Sequence, residues 1–280
     1  VRAAADAHFF TRGRECLTDP SAALRDYGRV FCGAVPPAEF EELHFRPGIP
    51  PDGRDLGWKL LAMQRMAVAS YASCAWFFDE ISRLEPLAAM AMALRAAELA
   101  RATGAPDVEP KVLAELAKAR SNMPQLGTGA DLWRTDVALR RETPARLAAQ
   151  GLLRLQAEGS LPEPGGEAEV AWPGLTLRFS VDEEAGGQDE ARTGTMTIAW
   201  RLRSDRPAYR WSLTTDGRGD PLACRVQTTP LDAGTALDTD ADVCQPRADL
   251  PWNKQQALAC AWAEGAESGV WQGTVLSAIA

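Results

Sequence analysis

The residues of this chain that could do chemistry are concentrated at positions 70–80, which have the sequence Ser-Tyr-Ala-Ser-Cys-Ala-Trp-Phe-Phe-Asp-Glu. On a helix, residues three and four apart are neighbours, so Trp76 would share a face with Asp79 and Glu80. An indole beside two carboxylates suits a sugar, because a sugar ring has one apolar face and a rim of hydroxyl groups. The alternative is that the small residues permit close helix packing and Trp76 belongs to the core.

Asp79 and Glu80 are not expected to be the catalytic pair of a glycoside hydrolase. Adjacent residues on a helix point about 100° apart, whereas a retaining pair holds its carboxyl groups about 5 Å apart across the scissile bond. A helix cap, or an ion pair with Arg83, explains these carboxylates better. The sequence contains no other convergent acid, base or nucleophile, so no catalytic residue is assigned and a self-contained hydrolase is not favoured.

Motifs for metals and other cofactors are weak. Residues 238–242 begin like a calcium loop, but Val243 replaces the expected glycine and Asp249 the expected glutamate, so an acidic surface loop is predicted. His8 and His44 have no Ser, Cys or carboxylate partner in a recognisable motif. The six cysteines contain no Cys-x-x-Cys pair, and no glycine-rich phosphate motif is present. We expect neither a metal nor another cofactor.

Composition excludes several classes of protein. The 280 residues include 30 Lys and Arg against 38 Asp and Glu, a formal net charge of −8. Nucleic acids and anionic membranes require a concentrated basic surface, so neither is an expected partner. Dispersed cysteines and the lack of a long apolar run favour a cytoplasmic protein. The first residue is Val rather than Met, which suggests a fragment or an alternative start codon.

Hydrophobic periodicity predicts an α+β chain: an N-terminal helical bundle, a small antiparallel β-rich domain and a final helix. The strongest predicted helix spans residues 56–84, because apolar side chains recur there at spacings of three, four and seven; these are Leu60, Met63, Ala67, Cys74, Phe77 and Ile81. After a Pro- and Gly-rich linker that begins at residue 159, alternating patterns predict strands. These strands cover residues 175–181, 196–202 and 209–213, and the final helix covers 251–264. The predicted domains are 1–158 and 159–280.

Several motifs in the first half carry a resemblance to a known family. They are Leu-Ala-Met-Gln-Arg-Met-Ala at 61–67, Tyr-Ala-Ser-Cys-Ala-Trp-Phe-Phe-Asp-Glu-Ile-Ser at 71–82, and Ala-Arg-Ser-Asn-Met-Pro at 119–124 followed by two glycines. With them the chain resembles an uncharacterised bacterial family, domain of unknown function 3536, which typically follows a glycoside hydrolase family 57-like catalytic barrel. The resemblance is dense over residues 55–140. Ala75 stands where the family tends to have Gly.

The resemblance implies a carbohydrate role without catalysis. In family 57-like enzymes the nucleophilic Glu and the acid Asp sit on the barrel, which this chain does not contain. Helices packed after that barrel in several relatives carry a Ser-Asp-Trp-type motif that lines the sugar cleft. Residues 73–76, Ser-Cys-Ala-Trp, are the implied counterpart, although Ala75 replaces the acid.

We therefore expect the C-terminal accessory portion of a family 57-like, α-glucan-associated protein that shapes a carbohydrate cleft. Its expected partners are an α-glucan or oligosaccharide and an N-terminal catalytic barrel in cis or in trans. The candidate carbohydrate-binding residues are Trp76, Asp79, Glu80, Gln64 and Asn122. The alternative is a protein-interaction or scaffold module with no ligand.

Overall fold

The computed structural model describes residues 1–77, 79–172, 174–182, 192–215, 222–231, 241–250 and 254–255. The predicted fold class is confirmed: helices in the N-terminal part precede a six-stranded antiparallel sheet and a short final helix. The described residues divide into two compact units. The first is Val1–Leu139 with Leu202–Ser204, and the second is Arg140–Arg201 with the described residues from Asp205 onward.

The first unit is helical. Its helices are α1 (Arg2–Cys16), α2 (Pro20–Phe31), α3 (Pro37–His44), α4 (Pro51–Ala69), α5 (Cys74–Phe77), α6 (Leu84–Ala102), α7 (Glu109–Leu116) and α8 (Gly129–Leu132), and α8 continues into a π-helical turn, Trp133–Val137. Prolines begin several of these helices because proline's fixed φ suits the first turn. Asp19 caps α2 by accepting from the backbone N–H groups of Ser21 and Ala22.

An aromatic cluster forms the centre of the first unit's core. The buried ring of Trp58 on α4 stacks on Phe40 with 5.1 Å between ring centroids and lies 5.2 Å from Phe45. Its Nε1 donates to the carboxylate of Glu41 at 2.8 Å, so the indole's polar atom is satisfied. Leu60, Met63 and Ala67, three members of the predicted apolar face, are also fully buried; they lie on α4.

The predicted long helix over residues 56–84 is wrong beyond Ala69. The Ser70 hydroxyl donates to the carbonyl of Ala67, and the N–H of Tyr71 bonds to Val68 O, three residues back instead of four. Such local bonds tighten and end a helix. Cys74 and Phe77, expected on the buried face, are exposed instead, since the chain has left the helical path.

The second unit is a six-stranded meander with one long helix. Its elements are α9 (Pro144–Ala157), β1 (Glu167–Trp172), β2 (Leu175–Val181), β3 (Arg192–Trp200), β4 (Ala208–Thr215), β5 (Cys224–Pro230), β6 (Asp242–Cys244) and α10 (Pro246–Asp249). Each strand pairs antiparallel with the next in sequence, in the order β1 to β6. The register is fixed by buried residues that alternate along each strand, such as Leu177 opposite Ile198.

Helix α9 packs on the buried face of this sheet. Thr143 caps the helix, and Asp242 on β6 accepts from the backbone N–H of Ala145 in its first turn at 2.8 Å. Gly151 lies directly against the ring of Phe179, and a Cβ there would come within 2.7 Å of two ring carbons. The helix approaches the strands closely because this position has no side chain.

Other predictions for this region fall partly outside the described residues. Of the predicted calcium-like acidic loop, residues 238–240 lie outside them, whereas Asp249 accepts from the N–H of Gln245 at 2.6 Å. Of the predicted final helix over 251–264, only Lys254 and Gln255 are described, and both are helical. The predicted domain limits of 1–158 and 159–280 stay a prediction; the helix before the linker packs with the sheet.

The substitution Gly151→Ala tests the close contact between α9 and the sheet, and Gly28→Ala is its control. Gly151→Ala should lower the free energy of unfolding by about 1–3 kcal/mol, because Phe179 must move to admit the methyl group. Gly28→Ala, in α2 with nothing within 4 Å of the new Cβ, should raise it by about 0.5–1 kcal/mol through helix propensity. Urea unfolding followed by far-ultraviolet circular dichroism measures both. An unchanged midpoint for Gly151→Ala would contradict the packing described here.

Candidate functional site

An exposed aromatic segment connects α4 to α6. We use this name for residues 71–77, in which Tyr71 is 60% exposed, Trp76 is 74% exposed and Phe77 is 82% exposed. The segment includes the four-residue helix α5, none of whose residues is buried. The interpretation of Trp76 as a core residue is therefore wrong, and the ring is open to a ligand or a partner.

The single helical face predicted for Trp76, Asp79 and Glu80 does not form. Trp76 lies on α5, whereas Asp79 and Glu80 follow in a non-helical turn before α6. Asp79 has an exposed carboxylate with no hydrogen-bond partner in the described part of the chain. Arg83, the expected ion-pair partner of this pair, places its Nε 3.7 Å from the carboxylate of Glu85 instead.

The carboxylate of Glu80 joins this turn to a second turn at residues 121–122. Its Oε1 accepts from the backbone N–H of Ser82 at 2.8 Å and from the hydroxyl of Ser121 at 2.8 Å. Its Oε2 accepts from the backbone N–H of Asn122 at 2.7 Å. The side-chain amide of Asn122 donates to the carbonyl of Asp79 at 2.6 Å, which closes the arrangement. We call these four hydrogen bonds the Glu80 clamp.

The clamp keeps Glu80 ionised. Desolvation raises the pKa of this carboxyl, but the hydrogen bonds from Ser82, Ser121 and Asn122 outweigh that effect and hold the pKa at about 2. An ionised carboxylate whose two oxygens already accept three hydrogen bonds cannot serve as a general acid at neutral pH. Glu80 is thus a positioning group and not a free acceptor for sugar hydroxyls.

A second carboxylate shapes the turn that the clamp holds. Asp131 and Thr128 form a reciprocal capping box at the start of α8, and the hydrogen bonds from Thr128 lower the pKa of Asp131. Gly127, just before it, has φ of +71° and lies against the Asp131 carboxylate, a conformation and a space that suit glycine alone. The turn at 121–128 is therefore fixed at both ends.

Comparison with known proteins identifies the family. The model of a protein family described as "Domain of unknown function (DUF3536)" matches residues 1–231. The chain belongs to the DUF3536 family. The match covers the whole helical unit and most of the described sheet, whereas the sequence motifs quoted above lie within residues 61–129. Neither a curated protein nor a solved structure matches this DUF3536 chain.

Gln64 is the candidate residue that lies apart from the aromatic surface. On α4 of this DUF3536 chain it is 1% exposed, so its side chain contacts the interior of the helical unit. Its Nε2 is buried and has no hydrogen-bond partner among the described residues. The candidates that remain at the surface are Trp76, Asp79 and Asn122, with Glu80 holding the last two in place.

Both histidines have partners that no sequence motif revealed. The Nε2 of His44 lies 3.0 Å from the carboxylate of Asp26, and the Nε2 of His8 lies 2.9 Å from the hydroxyl of Thr103. Within the described ranges, no group of three or more His, Cys, Asp or Glu residues could hold a metal ion. Nor does any described helix of the DUF3536 chain combine the length and apolarity needed to cross a bilayer.

The acid dependence of unfolding tests the Glu80 clamp. The pKa of Glu80 lies below its ordinary value of 4.5 in the folded chain, so the unfolded chain binds more protons between pH 4.5 and pH 2. The clamp's contribution to stability is therefore full above pH 4.5 and is lost as the pH falls towards 2. Glu80→Gln should lower the melting temperature at pH 7 and make its decline with acid shallower.

Melting curves recorded by circular dichroism at a series of pH values measure both effects. Glu42→Gln, which changes an exposed glutamate on α3, is the control and should change neither. If Glu80→Gln melted at the wild-type temperature and with the wild-type pH dependence, the hydrogen bonds of the clamp would not stabilise the fold.

Proposed function

We propose that this DUF3536 chain is the C-terminal accessory portion of a glycoside hydrolase family 57-like, α-glucan-associated protein and that it contributes Trp76 to a carbohydrate-binding surface. The observation that supports this most directly is the exposure of Trp76 on a short helix followed by the clamped turn. An exposed indole offers a large flat apolar face, which matches the apolar face of a pyranose ring and loses little conformational entropy on binding.

Polar groups in the turn after Trp76 suit the hydroxyl groups of a sugar. The carboxylate of Asp79 is exposed and can accept hydrogen bonds, and the side-chain carbonyl oxygen of Asn122 has the same capacity. The Glu80 clamp holds the two turns that carry these residues next to each other, so a ligand would not have to bring the turns together when it binds. Preorganisation of this kind supports binding even where few residues take part.

In this proposal, another polypeptide segment cleaves the glycosidic bond. Glu80 is held ionised by its hydrogen bonds and so cannot act as the acid. The bacterial family that this chain resembles typically follows a family 57-like barrel, and such a barrel, in cis or in trans, would supply the acid and the nucleophile. In this proposal the helical unit forms one wall of the cleft.

A protein-interaction module without a ligand is the second candidate. It is favoured by Tyr71 and Phe77, because three exposed aromatic rings within seven residues resemble the aromatic-rich centre of a protein interface. The two candidates predict different ligands for the aromatic segment, so direct titration with a sugar separates them.

Replacement of Trp76 tests the carbohydrate proposal. Trp76→Ala should weaken the binding of maltoheptaose by at least about fivefold, because stacking on an aromatic face contributes about 1 kcal/mol or more. The melting temperature should stay nearly unchanged, since the ring is 74% exposed. Isothermal titration calorimetry measures the affinity, and circular dichroism measures the melting.

Two further variants control this measurement. Trp76→Phe keeps an aromatic face and should retain part of the affinity. Leu43→Ala removes an exposed apolar side chain from α3 and should have no effect. Equal affinities for wild type and Trp76→Ala, or no binding of maltoheptaose by the wild type, would favour the interaction module instead.

A further inference from the structure

A cavity of 440 Å³ lies in the helical unit between α1, the second half of α6 and residues 104–111, which lead into α7. Its volume falls within the range of about 300–1,000 Å³ that small-molecule sites occupy. Alanines form most of its apolar wall: Ala4, Ala5, Ala7, Ala96, Ala97, Ala100 and Ala105. Short side chains leave room for an apolar ligand. The polar residues that also line the cavity indicate which chemical group such a ligand carries.

Two basic side chains line this cavity, Arg12 on α1 and Lys111 on α7. The Nη1 of Arg12 donates to Glu15 at 2.7 Å, but its Nε is buried and has no hydrogen-bond partner in the described ranges. The ammonium of Lys111 is exposed and has no ion-pair partner among the described residues. Because this Nε is not accessible from the cavity, a ligand oxygen would be held by the other N–H donors of Arg12 and by the ammonium of Lys111.

The other polar groups of the lining do not oppose a negative charge strongly. Asp107 accepts from the backbone N–H of Glu109 at 2.9 Å, and because it is exposed, solvent screens the charge of its carboxylate. The Thr103 hydroxyl lies 2.9 Å from the Nε2 of His8 and 2.9 Å from the carbonyls of Leu99 and Ala100. Desolvation lowers the pKa of His8, which leaves its ring neutral at pH 7.

We infer that this cavity binds a small amphipathic carboxylate, whose apolar chain packs against the alanine walls and whose carboxylate accepts hydrogen bonds from Arg12 and Lys111. The pairing of an apolar wall with a few basic donors is typical of such ligands. None of these residues belongs to the aromatic segment or the Glu80 clamp, so this site can be tested independently of the proposed carbohydrate surface.

Three probes with the same chain and different head groups test the inference: octanoate, octanol and octylamine. Ligand-observed nuclear magnetic resonance titrations of the purified chain at pH 7 give their dissociation constants. Octanoate should bind about tenfold more tightly than octanol, because a charged acceptor strengthens the hydrogen bonds from the basic donors. Octylamine should bind most weakly. Equal binding of octanol and octanoate, strongest binding of octylamine, or no saturable binding of any probe would overturn the inference.

Matched variants on one helix locate the binding. Ala7→Leu fills part of the cavity from the exposed side of α1 and should weaken octanoate binding by about tenfold or more, since overpacking excludes the chain. Ala3→Leu, exposed on the same helix but outside the cavity, should have no effect. Arg12→Gln should weaken octanoate binding by about fivefold and leave octanol unchanged, whereas Arg14→Gln should change neither.

Circular dichroism of each variant confirms that the fold is retained before binding is compared. If Ala7→Leu and Ala3→Leu bound octanoate equally well, the probe would be bound elsewhere on the chain and the site would be wrong.

Discussion

The carboxylate of Glu80 determines the geometry of the part of this protein that presents Trp76. The chain between α4 and α6 has little buried surface of its own, because α5 is four residues long and none of them is buried. In most of the helical unit, apolar side chains fix the position of the backbone, as the rings around Trp58 do. Between residues 79 and 82, hydrogen bonds to one anionic side chain do so together with Ile81, which packs against the core. The exposed aromatic segment is therefore followed by a turn that hydrogen bonds and one apolar side chain hold together.

Much of the second unit could be predicted from sequence because its signals are local. The predicted strand over 175–181 has the bounds of β2. Helix α9 begins with a common local signal, since Thr143 is its cap and Pro144 its first residue. The linker predicted from residue 159 lies between α9 and β1. Short strands such as β6, with three residues, are too brief for alternation to reveal them.

The helix break at Ser70 could not be predicted from periodicity. The apolar spacing continues through Cys74 and Phe77, and residues 70–73 contain neither Gly nor Pro. What ends the helix is a competition: the Ser70 hydroxyl and, further on, the Glu80 carboxylate bond to the backbone in a non-helical arrangement. Two of the three partners of Glu80, Ser121 and Asn122, lie more than 40 residues away in sequence, so a local window contains only part of the cause.

The candidate site, too, could be predicted from the sequence only in part. Trp76 could be singled out because an indole beside two acidic residues is unusual, whereas its exposure depends on where α4 ends. Gln64 belongs to the family-like motif at 61–67 and is a candidate for the proposed carbohydrate surface, yet it points into the interior. A helix position three residues from both Leu61 and Ala67 falls on the buried side of α4. The cavity beside Arg12 and Lys111 had no sequence signal, because alanines are common in helices whether or not a cavity adjoins them.

The strict β1-to-β6 order of the sheet has a consequence for how the second unit assembles. Every strand pairs with its neighbour in sequence, so each pairing closes only a short loop and has a low entropic cost. The hydrogen bond between Asp242 and Ala145 instead joins residues 97 positions apart. We expect the hairpins to form early and this contact, which ties the last strand to the start of α9, to form late. The start of α9 would then be joined to the sheet only after β6 has been synthesised.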